Sequence, residues 1–223
     1  MDIKCQNKAA EILLYDDIGE SLFGGISAKT FAEEIKKLGK LNSINVRINS
    51  YGGQVHDGIA MYNTLKKNGA RITVDIDGIA ASIASVIAMA GEEINMAENG
   101  FLMIHDPWSL AMGSAEDFRA EADMLDKVRS NILDTYMKKA SVERDELSRL
   151  MSEETWFTAA EAKEVGLITN LTDEVKLAAC ANKEIVKHLH HLPDDLKPQT
   201  RARYDQSKLI TTKIQQRLKK RNL

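Results

Sequence analysis

The sequence predicts an α/β fold with mainly parallel strands, and three observations lead there. Apolar residues alternate with polar ones over residues 44–49 and 71–77, the period-two pattern of strands with one covered face. Apolar residues recur at helical spacing over residues 28–38 and 55–65. Strand and helix then take turns along the chain, and a helix between two strands is the crossover that a parallel pair requires.

Taken in order, residues 11–15 read as a strand. The helix over 28–38 carries Phe31, Ile35 and Leu38 on one face, and Gly39 is a good terminator. Ile44, Val46 and Ile48 form the covered side of the next strand, which runs into Ser50-Tyr51-Gly52-Gly53. A helix striped by Val55, Ile59, Tyr62 and Leu65 follows, with Gly69 past its end. Ile72, Val74 and Ile76 mark another strand. Gly78 is expected to break it, and a helix of small apolar residues to run on to Ala90. Short strands are expected at 93–96 and 101–105.

Ser114 precedes a long helix over 115–140, with Phe118, Ala122, Leu125, Val128, Ile132, Leu133 and Tyr136 in a wide, uneven stripe. A helix so long and so broadly striped is expected to pack against another subunit. Thr158 and Glu161 make a capping box, Gly166 ends that helix, and Leu167-Ile168 open a last short strand. Pro193 and Pro198 bracket a linker, and residues 201–220 read as a basic helix. The chain thus divides into a body, residues 1–175, and a C-terminal extension, residues 176–223.

Charge divides the same way. The 223 residues carry a net charge of -3, yet the extension holds twelve Lys and Arg against four Asp and Glu, while the body holds eighteen against twenty-nine. Cys5 and Cys180 fit no metal or CxxC spacing and read as free thiols in a reducing compartment. The N-terminal MDIKCQNKAAEILLYDD turns polar too soon for a secretory leader. The apolar run over 79–90 is too short to span a bilayer. The expectation is a cytoplasmic protein with no membrane partner.

Three segments carry chemistry. In Gly78-Ile79-Ala80-Ala81-Ser82 a strand gives way to a helix, so the serine hydroxyl projects from a sharp turn, with the Ile83 N–H beside it and a helix N-terminus favouring negative charge. Alone, a serine there is most often only an N-cap. In Asn49-Ser50-Tyr51-Gly52-Gly53 two glycines permit positive φ and close approach of a ligand, and the Gly53 N–H is a second candidate donor. Alone, this is an ordinary turn. In Met103-Ile104-His105-Asp106-Pro107 a histidine closes an apolar strand, where a catalytic base is well placed. His56 opens a helix. His188, His190 and His191 sit in the extension and read as solvated rather than as metal ligands.

Together, Asn49-Ser-x-Gly-Gly-x-Val55-x-x-Gly58, Gly78-x-Ala-Ala-Ser82 and Met103-Ile-His105-x-Pro107 resemble the peptidase subunit of the Clp protease, and Phe157-Thr-Ala-x-Glu161-Ala162 through Gly166-Leu167-Ile168 resemble that family's closing segment. The likeness runs from about residue 18 to residue 172. It implies the β-β-α superhelix shared with the crotonases, with residues 115–140 as a protruding handle helix and the basic helical tail added. It implies a serine endopeptidase with Ser82 as nucleophile, His105 as base, and Gly53 and Ile83 N–H as the oxyanion hole. Gly52 lines the substrate site, and neither metal nor cofactor is needed. It also implies homo-oligomeric rings, single or double heptamers, acting on protein or peptide substrates.

The third triad member departs from the family's aspartate. Four residues before Thr158 stands Glu154, with Asp145, Glu153 and Asp106 as competing carboxylates. The N-terminal segment also departs. The compact body with a basic tail is more similar to the Clp-related proteases encoded in phage head-assembly regions. That likeness implies scaffold or capsid partners, the host cytoplasm as setting and no ATPase. Two alternatives stay open: an ATP-dependent Clp proteolytic subunit fed by an unfoldase, and an inactive member kept for capsid assembly. The enoyl-CoA hydratases of the same fold need no serine and histidine at these motifs.

Overall fold

The computed structural model describes residues 1–20 and 25–174, and beyond them only Leu189, His191, Pro193 and Leu196. The chain divides into a unit of Met1–His191 and a second of Leu192–Leu223. The predicted basic helix lies outside the described residues, as does Cys180.

Two strands open the chain, β1 (Asp2–Gln6) and β2 (Ala9–Leu14), paired antiparallel around a turn in which Asn7 and Lys8 take positive φ. The sequence reading placed one strand over residues 11–15. β1 alternates too weakly to show, because it lies at the sheet edge and is mostly exposed. Ser27 caps α1 (Ala28–Lys37), accepting from Thr30 N–H, and buries Phe31 and Ile35. β3 (Ser43–Ser50), α2 (Val55–Lys67), β4 (Arg71–Ala81) and α3 (Ile83–Ala88) follow. Next come β5 (Glu93–Ala97), β6 (Phe101–Ile104), α4 (Ala115–Met137) and α5 (Arg144–Ser152). β7 (Thr155–Thr158), α6 (Ala159–Glu164) and β8 (Asn170–Thr172) close the body. Of these, α5 and β7 were not foreseen.

The sheet runs β1-β2-β3-β4-β5-β8, parallel after the first pair, with β6 joined parallel to β4 and β7 antiparallel to β6. Ile44, Val46, Ile48, Ile72, Val74 and Ile76 bury one face. The other face is polar and linked from strand to strand. Asn45 and Asn95 both donate to Asp75, at 2.8 Å each, Arg47 grips Asp77 at 2.6 and 2.7 Å, and the Tyr15 hydroxyl also donates to Asp77. Burial and that carboxylate push the Tyr15 phenol up to about 12.

Gly78 does not break its strand. β4 continues through it and changes neighbours, pairing with β5 as far as Ile76 and with β6 from Ile79 onward. Across from this change β3 carries a bulge between Ile48 and Ser50, and the Asn49 side chain accepts from Ile79 N–H at 3.2 Å to fill it. Hence the apolar run splits. Ile79–Ala81 finish β4, and only residues 83–88 are helical. Among the described residues no helix is long and apolar enough to cross a membrane.

Candidate active site

Ser82 sits at the junction of β4 and α3 with φ 54° and ψ -130°, a conformation that a residue with a Cβ rarely adopts. Its N–H donates to the Met103 carbonyl on β6 at 3.1 Å, so the turn is pinned to the strand that carries the histidine. His105 follows directly on β6, and its Nε2 lies 2.7 Å from Ser82 Oγ. The two residues, 23 apart in sequence, meet because Ala81 pairs with Met103.

The Gly-Gly turn reaches the serine from the other side. Gly53 forms a parallel bridge with Ile18 in which Ile18 N–H donates to Gly52 O and Gln54 N–H to Ile18 O, both at 2.8 Å. In a parallel pair those two bonds leave the N–H of the residue between them facing away from its partner. Gly53 has φ 145°, and a Cβ there would collide with the Ile18 carbonyl. A Cβ on Gly52 would meet Ala81 O and Ser82 Cβ, and one on Gly58 would strike Ile83. The small residues of the motif thus bring the turn and α2 against the serine. Ile83, first residue of α3, has no earlier turn to accept its N–H.

Glu154 stands in the bridge between α5 and β7, 7% exposed and at φ 51°. β6 and β7 pair Ile104 with Thr155, so His105 and Glu154 are the residues next to the paired ends of the two strands. Glu154 Oε1 accepts from Trp156 Nε1 at 3.3 Å and from the His191 backbone N–H at 2.8 Å. The competing carboxylates are engaged or remote. Asp106 is held by Arg129 Nε at 2.6 Å and by Ser152 Oγ at 3.0 Å. Glu153 is exposed and pairs with Arg149 at 2.5 Å, and Asp145 is exposed in the first turn of α5. The roles of Arg129 and the His191 N–H gave no sequence signal, since one is a single arginine on a polar helix face and the other a backbone group.

A small depression beside Ser82 and His105 is walled by Val55, Ile83, Val86, Pro107, Ile132 and Tyr136. It adjoins the base of α4, where Ile132, Leu133 and Tyr136 are buried. Of the rest of the predicted stripe, Leu125 and Val128 are half-buried, Val128 against the core, while Phe118 and Ala122 are exposed. Phe118 and Met124 are about half exposed, and Leu110 and Met112 just before the helix almost wholly so.

A serine held on a strained turn by the strand that presents its histidine is the arrangement of the serine peptidases as a class. The comparisons agree. A family described as Clp protease matches residues 4–175, and the chain belongs to it. It is 30% identical over 156 residues to ATP-dependent Clp protease proteolytic subunit 1 of Chlamydia abortus, covering 66% of this chain and 81% of that one. It is 31% identical over 135 residues to the Deinococcus radiodurans proteolytic subunit, covering 60% of this chain and 66% of that one. For Salinibacter ruber subunit 1 the figures are 29% over 143 residues, 63% and 61%. A mutant ClpP1 from Listeria monocytogenes shares the fold with a TM-score of 0.64 and 22% identity, over 79% of this chain and 94% of that one.

Proposed function

We propose that the chain is an endopeptidase in which Ser82 attacks the scissile carbonyl and His105 carries the proton. The observation that carries this reading is the 2.7 Å contact of Ser82 Oγ with His105 Nε2 on an elbow strained to φ 54°. For Nε2 to take the serine proton, the ring must hold its other proton on Nδ1, and the buried Glu154, next to the paired end of β7, is the carboxylate assigned to that edge. The tetrahedral oxyanion then meets Gly53 and Ile83 N–H, and the protonated His105 returns its proton to the leaving amine. The apolar depression favours an apolar side chain next to the scissile bond. A serine-directed phosphonate should label Ser82 and no other serine. An unlabelled chain would return the scaffolding alternative to first place.

The substrate setting we infer is phage head maturation, with scaffold or capsid precursors cut without an unfoldase. It is supported by the acidic body joined to a tail with an excess of eight positive charges. A second reading is favoured by the relatives, which are ATP-dependent proteolytic subunits by name. The purified chain cutting a scaffold or capsid precursor without ATP supports the first. Cleavage only with an unfoldase and ATP supports the second. Truncation after Leu192 keeps the His191 contact with Glu154. If the tail recruits an acidic partner, short-peptide hydrolysis should survive and cleavage of that partner should fall, most clearly at low salt. Equal losses on both substrates would assign the tail to folding or assembly.

Assembly into rings, heptamers stacked through α4, is what the resemblance implies, and the apolar area that Phe118, Met124 and Trp108 leave uncovered supports it. Light scattering should show a large oligomer at micromolar concentration. A fully active monomer would overturn this.

A further inference from the structure

Behind the nucleophile lie two hydroxyls that the chemistry above does not use. Ser85 is fully buried, and its Oγ lies 2.6 Å from the Ser82 carbonyl, 3.0 Å from the Met103 carbonyl and 2.7 Å from the Tyr136 hydroxyl. Carbonyls only accept, so the Ser85 proton must go to one of them, with Ser82 O the nearer. The Tyr136 hydroxyl therefore donates to Ser85 Oγ. Burial raises the Tyr136 phenol well above its usual range, which keeps that donor protonated. The proton order is thereby set from Tyr136 on α4, through Ser85, to the carbonyl of Ser82.

That carbonyl belongs to the peptide group whose N–H is that of Ile83. The group is planar and trans, so its C=O and N–H point in opposite directions. Fixing Ser82 O on the buried side fixes where the Ile83 N–H points. We propose that Ser85 and Tyr136 are positioning residues that orient the Ile83 N–H of the oxyanion hole. This rests on the peptidase reading above. The strained φ of Ser82 makes such a strut necessary, because an unfavourable conformation persists only where its surroundings over-determine it.

The test separates this role from mere packing. Ser85→Ala removes the hydroxyl donor to Ser82 O, leaving that carbonyl to the Ser85 N–H at 3.0 Å, and strands the buried Tyr136 hydroxyl, so both melting temperature and activity should fall. Adding Tyr136→Phe removes the stranded group, and the melting temperature should recover, since replacing both partners by apolar groups is nearly neutral. Activity should not recover. In the double variant kcat should stay down by about tenfold to a hundredfold, less than the loss of a whole oxyanion donor, with KM little changed. Affinity for a peptide boronate, which places a tetrahedral oxygen in the hole, should fall by the same factor as kcat/KM. A double variant with wild-type kcat and boronate affinity overturns the inference and leaves the peptidase reading intact. A wild type that neither hydrolyses peptides nor binds the boronate overturns both. Should the double variant not fold, Tyr136→Phe alone should measurably weaken boronate binding; unchanged binding overturns the proposal.

Discussion

Ser82→Ala should abolish peptide hydrolysis and phosphonate labelling while the protein melts as before. The loss expected on removing a triad nucleophile is on the order of 10⁶ in kcat. No neighbour can take over. Ser85, one turn along, is wholly buried, with its hydroxyl committed to two carbonyls and to Tyr136. Removing the Ser82 hydroxyl leaves no buried polar group stranded on the core side, because its contact is with His105, which is half-buried. Ordinary turnover in the variant, measured on the same short peptide, would sink the mechanism.

Glu154→Gln is the second large effect. The amide oxygen can still accept from Trp156 Nε1 and the His191 N–H, so the local fold is expected to hold. What is lost is the negative charge that stabilises an imidazolium at His105. By the precedent of an aspartate-to-asparagine change in such a triad, the drop can approach about 10⁴ in kcat. Asp145→Asn is the control. Asp145 is exposed on α5, and its loss should leave the rate unchanged. The reverse pattern, with Asp145→Asn inactive and Glu154→Gln near normal, would move the acid to Asp145. Glutamate carries one methylene more than the aspartate of the resemblance.

Much of this was written in local pattern. The parallel strands β3 and β4 showed in their alternation, because one face of each is covered and the other carries the polar residues that link Asn45, Asp75 and Asn95. The cap at Thr158 was readable, because a capping box is made by residues three apart and needs nothing beyond its own turn. Ser82, His105 and the two glycines could be named because their motifs lie at the ends of strands, where the chain must turn and a side chain is set free.

What the sequence did not decide are the features that depend on partners distant along the chain. Gly78 reads as a breaker, but the strand survives it because β6 replaces β5 as hydrogen-bonding neighbour. β7 has no telling alternation, since its four residues are fixed by pairing with β6. Four carboxylates stood near the right place in sequence. The tertiary structure gives them different surroundings: Asp106 turns onto Arg129, Asp145 and Glu153 are exposed, and Glu154 is buried. The sequence by itself singled out candidate side chains, Ser82 and His105 among them, because residue type and local turn are short-range properties and their motifs together carry the resemblance. Which of them meet, and what lies behind the Ser82 peptide, depends on packing α4 against α3 and β7 against β6, where Ser85 meets Tyr136 and Phe101 pairs with Thr158, residues distant along the chain.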